Sequence, residues 1–403
     1  MHQPGRPDLP LAASAPDRIT LSPAGDAGLR TIRVKKMDPM ACAAAVGEGL
    51  LARGVREDGR LCWPVRQKGL RGVSPRPWDA YSGSAGVSLF LSLLGRATGD
   101  RRFSEAGEAG LARSLFLARK RRPYEAGLAG VSGLGQILLI LGKVAEALRI
   151  ADSLERPARD EYFELLYGSA GIGTFLLSCY RRTGDRACLR AARVRGDRLA
   201  RIGAPWPFDE RCSLGYSHGP AGIGEFFLRL YAQTGTRRYR DAAQACAALI
   251  ARHSRRSGRG LETLYQPDAP RIAHAWCHGS PGILLFELAG AEVLGGAAWR
   301  RRARLRAQAT LDFARRVREP ALCYCHGLAG NLDLLLEYGW RAEALRLAES
   351  RLLPRALKDR PGLTFPCQFG PWPLPGLFLG DAGIGFFFLR LAKPDTPLFY
   401  RVL

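Results

Sequence analysis

The chain has 403 residues, 47% of them apolar, and a formal net charge of +23. That apolar share suits a globular protein, and no uninterrupted apolar run approaches the ~18 residues of a membrane span, so a transmembrane segment is not expected. The charge suggests a polyanionic partner, but all but seven of the 60 basic residues are arginine, a skew that codon bias also produces. The arginines lack the aromatic interleaving of a single-strand binder and no nucleic-acid motif occurs, so nucleic acid is not the expected partner.

The first stretch, residues 1–36, scatters Pro4, Pro7, Pro10, Pro16 and Pro23 among small and polar residues and lacks the apolar core of a secretion signal. It reads as a disordered segment ahead of a single domain over residues 37–403, where apolar periodicity begins near Met37 or Met40. Ten cysteines in a chain of this length are too sparse for a disulfide scaffold. Without a secretion signal they are expected to be reduced thiols of a cytoplasmic protein, so a cysteine cluster favours metal over a disulfide.

From there a Gly-x-x-Gly unit followed by an apolar stretch recurs at Gly83, Gly168, Gly219, Gly279, Gly327 and Gly380, with a degenerate copy starting near Gly127. Such spacing marks a repeat fold. Thr98-Gly99-Asp100, Thr183-Gly184-Asp185 and Thr234-Gly235-Thr236 each begin 15 residues after the opening glycine of their unit, so the register is not accidental. Between the two marks lie segments such as Val87 to Leu94, apolar on nearly all sides, which predict buried inner helices. After the Thr-Gly turn, Phe103, Ala106 and Ala109 alternate with Arg101, Glu105 and Glu108, which predicts outer helices with one wet face.

Strand signals are scarce. The predicted class is all-α: an α/α toroid of about seven helix pairs, its Gly-x-x-Gly loops gathered at one end. Glycines at the inner helix starts are expected to allow close backbone approach and to leave amide N–H groups unpaired, pointing into the enclosed space. The arginine-rich stretch 251–270 reads as a solvated insertion between the fourth and fifth repeats, with a substrate-guiding loop as the other reading.

Three units are preceded directly by histidine: Ser217-His218-Gly219, Trp276-Cys277-His278-Gly279 and Tyr324-Cys325-His326-Gly327. The chain has six histidines, and three of them share one repeat position. If the repeat closes into a ring, these side chains converge. Cys277, Cys325 and His326 then offer two thiolates and an imidazole, a set suited to tetrahedral zinc with one coordination position open, as at a catalytic site. Cys323 competes for a ligand role. Cys42, Cys62, Cys179, Cys188, Cys212, Cys246 and Cys367 lack such a setting and read as small core or surface residues.

The runs Trp276-Cys277-His278-Gly279-Ser280-Pro281-Gly282 and Cys325-His326-Gly327-Leu328-Ala329-Gly330-Asn331 resemble the two signature motifs of the lanthionine synthetase C-like family, and the repeat extends the resemblance from about residue 75 onward. The resemblance implies a zinc-dependent lanthipeptide cyclase that adds peptide cysteine thiols to dehydroalanine or dehydrobutyrine by Michael addition, forming thioether rings. It implies Cys277, Cys325 and His326 as ligands of Zn2+ and His218 as an acid/base group. Glu164 stands where bacterial cyclases carry an aspartate and is expected to do the same work, whereas Ala273 replaces an arginine of those cyclases and neighbouring Arg271 does not inherit its role.

His278 is either a loop residue orienting Cys277 or a substrate contact. The implied partners are a dehydrated precursor peptide, whose acidic leader the basic surface would suit, and a separate dehydratase. Two other readings stand beside this one. One adds glutathione or another small thiol to dehydrated residues in proteins. The other is a non-catalytic scaffold for a peptide dehydratase.

Overall fold

The structure, a computed structural model, describes residues 37–57, 60–64, 78–119, 126–157, 162–206, 213–357, 360–368 and 373–403. The N-terminal segment expected to be disordered and Cys212 lie outside the described residues. The first helix, α1 (Pro39–Arg53), starts where the Asp38 side chain accepts from the Met40 amide. A small hairpin follows, β1 (Val55–Glu57) with β2 (Arg60–Cys62).

Inner and outer helices then alternate. The pairs are α2 (Ser84–Thr98) with α3 (Arg101–Ala118), α4 (Val131–Ile140) with α5 (Val144–Ser153), α6 (Ser169–Thr183) with α7 (Arg186–Ile202), and α8 (Pro220–Thr234) with α9 (Arg237–Arg252). After a three-stranded sheet come α10 (Ser280–Val293) with α11 (Ala297–Arg316), α12 (Leu328–Glu337) with α13 (Arg341–Leu347), and the last inner helix α14 (Asp381–Ala392).

The Thr-Gly turns explain their own sequence. Gly99, Gly184 and Gly235 take left-handed φ angles of 77°, 76° and 64°, a conformation cheap only without a β-carbon. Asp100 and Asp185 then cap the outer helices, each accepting from the amide two residues on at 2.9 Å.

Each inner helix contacts the next, and α14 contacts α2, so the ring is closed and the α/α toroid is the observed fold. Phenylalanines key neighbouring inner helices together: a β-carbon on Gly135, Gly173, Gly224 or Gly385 would sit 2.2–2.6 Å from the ring of Phe175, Phe226, Phe286 or Phe90 respectively. The last of these joins the final inner helix to the first. The outer partner of α14 is α1, from the other end of the chain, so the seventh pair closes by return of the N-terminal helix rather than by a helix after α14. Arg53 of α1 pairs with Asp381 at the start of α14, and Asp381 also accepts from the Phe365 amide at 2.9 Å.

Three expectations change. The second unit is not degenerate: Gly130 is the N-cap of α4, so the unit is Gly130-Val131-Ser132-Gly133, three residues later than read. The inner-helix amides do not point into the enclosed space. Loops ahead of these helices fold back and their carbonyls take amides of the first turn, as in Ser169 to Tyr162, Leu328 to Ala321 and Asp381 to Leu374, at 2.7–2.8 Å. The folded-back loop is also why the second glycine recurs: a β-carbon on Gly171, Gly330 or Gly383 would meet the carbonyl oxygen of Leu165, Tyr324 or Leu377 at 1.8 Å.

Residues 251–270 are more than a solvated insertion: Arg255, Arg256 and Arg259 are exposed, but the backbone is ordered into strands. They form β3 (Ser254–Ser257), β4 (Gly260–Gln266) and β5 (Ala269–Ile272), an antiparallel sheet in the order β3-β4-β5. The fully buried Arg306 of α11 ties it down, donating to Thr263 and, at 2.9 Å, to Ser254.

Burial raises the Asp381 carboxyl to about 6 in spite of Arg53, against about 3.9 in an unfolded chain. A group raised in this way favours folding fully below the unfolded value, and the contribution is lost as pH rises through the folded one. Lowering the pH from 6 to 4 should therefore draw about 2 kcal/mol of stabilisation from this group. Urea denaturation across that window should show the gain in the wild type and not in Asp381→Asn.

Candidate metal centre

The loops leading into the inner helices are wired into one circuit. The amide of Ala80 donates to Ala129, Leu128 to Leu165, Leu165 to Ser217, Ser217 to Cys277, Cys277 to Cys325, Cys325 to Phe378, and Phe378 back to Tyr81, at 2.8–3.4 Å. Beneath the circuit, the residues just ahead of these positions turn into the core: the ring of Trp276 lies 4.4 Å from Phe378, 5.0 Å from Tyr400 and 5.8 Å from Tyr216. The residues that follow them turn the other way, into one site.

Cys277, Cys325 and His326 converge there, their ligand atoms all within 4.8 Å of one another. Tetrahedral zinc with bonds of 2.0–2.3 Å sets ligand edges near ~3.8 Å, within reach of small side-chain rotations. The three residues are the one group of this kind among the described residues. Cys323 is buried beside His326 but stands outside the group. Two observations fit a cation. The Nε2 atom of His326 is buried with no hydrogen-bond partner. A hydrogen bond from Cys325 also holds the Cys277 thiol well below its usual range despite burial, while burial pushes the Cys325 thiol up. His326 is raised: burial opposes its charge, but Cys323 and Cys277 outweigh it. Negative charge thus gathers on sulfur next to an imidazole, the electrostatic pattern of a soft metal site.

Beside the cluster, His218 has Nδ1 3.2 Å from Oε2 of Glu164. The two belong to adjacent loops of the circuit. Glu164 is 1% exposed and also accepts from the amides of Leu166 and Tyr167, each at 2.7 Å. Asp79, at the same repeat position, caps its own loop by accepting from the Ser82 and Gly83 amides at 2.7 Å. Glu164 therefore fixes its loop as Asp79 does and in addition holds a histidine.

His278 packs against His218 with ring centroids 5.5 Å apart. Its Nδ1 meets Ser213 Oγ at 2.8 Å and its Nε2 meets the Tyr265 hydroxyl at 3.3 Å, so both nitrogens are engaged by protein. Burial lowers its pKa to about 4. Tyr265 comes from β4, so the sheet is a wall of the site, and Arg271 lies over the Tyr265 ring at 5.6 Å rather than over the cluster.

The structure places Cys277, Cys325 and His326 together, His218 beside Glu164, and His278 against the His218 ring. The sequence reading missed Tyr81, whose hydroxyl donates to Cys325 Sγ at 2.8 Å, and it missed Tyr265 and Ser213. The signal for Tyr81 was present: it stands two residues before Gly83, as Cys277 and Cys325 stand two before Gly279 and Gly327.

Residues 74–403 match the family model described as lanthionine synthetase C-like protein. The chain belongs to the lanthionine synthetase C-like family. Among solved structures, nisin cyclase matches with a TM-score of 0.61 and 13% identity, covering 81% of this chain and 91% of that one. A family 76 glycoside hydrolase from a bovine Bacteroides thetaiotaomicron strain matches at 0.45 and 14%, covering 89% of this chain and 78% of that one. The first likeness shows the family's toroidal fold. No helix among the described residues of this lanthionine synthetase C-like protein is long and apolar enough to cross a membrane.

Replacing Glu164 by Ala strands the buried Leu166 amide and the half-buried Tyr167 amide and should cost about 2–3 kcal/mol of stability. Glu164→Gln, which keeps one acceptor oxygen, should cost less. Guanidinium denaturation of the two variants checks the order.

Proposed function

We propose that the protein is a zinc-dependent cyclase that adds cysteine thiols of a dehydrated precursor peptide to its dehydroalanine or dehydrobutyrine residues, closing thioether rings. The observation that carries this reading is the convergence of Cys277, Cys325 and His326 beside the His218–Glu164 pair. The two thiolates and the imidazole would hold the ion through three ligands, leaving a coordination position for substrate. Bound zinc would supply the positive charge that lets an incoming thiol, with a free pKa of ~8.5, lose its proton at neutral pH.

The protein's own groups do the rest. Attack of sulfur on the β-carbon leaves a carbanion equivalent at the α-carbon that needs a proton. His218 is the donor: Nδ1 lies 3.2 Å from the Glu164 carboxylate, which leaves Nε2 for proton traffic. Glu164, beside Nδ1, orients the ring, as a buried carboxylate does in other histidine pairs. His278, with both nitrogens occupied by Ser213 and Tyr265, braces the His218 ring and the Cys277 loop instead of binding substrate directly. The implied partners are the precursor peptide and a separate dehydratase that prepares it, in a cytoplasmic setting suited to free thiols.

Incubating the zinc-loaded protein with a dehydrated precursor peptide should remove free peptide thiols without changing peptide mass. His218→Ala should slow this by about 10²–10⁴-fold. A gain of one glutathione in mass when that thiol is present would instead favour intermolecular addition. A peptide bound but left with all its thiols would contradict catalysis and leave a scaffold.

A further inference from the structure

Two protein thiolates placed on a Lewis-acidic ion next to an electrophilic alkene pose a problem of selectivity, since either could be alkylated in place of the peptide sulfur. The geometry around Cys325 answers it. Tyr81 stands at the repeat position that carries Cys277 and Cys325 in their own loops, but in the first unit, two steps round the circuit from Cys325. Between the two loops lies Phe378. The Tyr81 ring stacks on it with centroids 4.8 Å apart and planes 11° from parallel. Phe378 donates its amide to the Tyr81 carbonyl and accepts from the Cys325 amide at 2.9 and 2.8 Å. Backbone and ring are therefore both fixed, and the hydroxyl is left to donate to Cys325 Sγ at 2.8 Å.

We propose that Tyr81 is a positioning residue of the metal centre, whose hydroxyl withdraws charge from the Cys325 thiolate so that the substrate sulfur, and not the ligand sulfur, is the stronger nucleophile. This rests on the zinc reading above. A hydrogen bond to a charged acceptor is stronger than a neutral one and draws electron density from it. On a ligand thiolate the effect is twofold: the sulfur donates less to the ion, which leaves the ion more acidic toward an incoming thiol, and its remaining lone pairs attack carbon less readily. Phenylalanine at this position keeps the stack on Phe378 and loses only the donor.

The test uses the full-length protein loaded with cobalt for spectroscopy and with zinc for reactivity. In Tyr81→Phe the sulfur-to-cobalt charge-transfer band should move to lower energy, and 3-fluorotyrosine at 81, a stronger donor of nearly the same shape, should move it to higher energy. With methyl 2-acetamidoacrylate as a small dehydroalanine probe, the Cys325 thiolate forms a carbon–sulfur bond at the β-carbon as the alkene π bond breaks, and the α-carbon takes a proton from water. Peptide mapping should show this alkylation about tenfold faster in zinc-loaded Tyr81→Phe than in wild type.

Unchanged bands in both variants, with unchanged Cys325 alkylation, overturn the role of Tyr81. A purely structural role would shift both bands the same way or neither, which also overturns it. A wild type that shows no charge-transfer band at all overturns the metal reading on which the proposal rests. If Tyr81→Phe fails to fold, the 3-fluorotyrosine band decides alone.

Discussion

The complete site, with Tyr81 against Cys325, depends on the closure of the loop circuit. Seven loops donate amide hydrogen bonds in one rotational sense, and the last, through Phe378, returns to the first, through Tyr81. Each bond is worth only about 1 kcal/mol net, but a circuit has no free end at which to slip. Cys277 and Cys325 lie on adjacent members, and the bond between their backbones holds the two sulfurs on the same side. A chain that failed to close would leave the two cysteine loops as neighbours, but Tyr81 could no longer reach Cys325.

The circuit rests on a floor of buried charge. Tyr216 donates to Glu225 at 2.7 Å, and Arg401 links Glu225 to Glu337 at 2.7 and 2.9 Å. Arg390 meets Glu337 at 2.7 Å and Asp333, which takes the Tyr324 hydroxyl. Buried charges are tolerated only when paired this completely, and removing one partner costs more than the pair contributes. The segment 398–403 supplies Arg401 and crosses the ring: Gln136 of α4 donates to the Arg401 carbonyl, and the Leu403 amide donates to Ser178 of α6. Tyr216 and Tyr324 sit one residue ahead of the circuit, so the arrangement fixes from below the loops that carry His218, Cys325 and His326.

Much of this was legible in the sequence because the repeat reports it directly. Glycines demanded by close carbonyl approach, as at Gly171 and Gly330, mark each loop, and a residue's offset from its glycine states which side of the circuit it occupies. The metal group and His218 follow from that offset alone. The same rule applied to Tyr81 places it in the cysteine register, but a tyrosine there does not announce itself as a partner of sulfur.

What the sequence withheld depends on distance along the chain. The pairing of α1 with α14 joins Arg53 to Asp381, and no local pattern encodes which helix completes a ring. The sheet at β3–β5 was hidden by its arginines and glycines, which read as solvent-facing; its anchor, Arg306, lies on a different helix. The role of Glu164 was blurred for a related reason, since its partner His218 belongs to the next loop.

The most direct test of this account is metal content. Plasma mass spectrometry on the purified protein should find about one zinc per chain, and Cys277→Ala and Cys325→Ala should each lose it while keeping the helical circular dichroism of the wild type. A folded wild type that carries no metal and takes up none from added zinc would contradict the account, leaving the two cysteines and the histidine as packing residues of the ring.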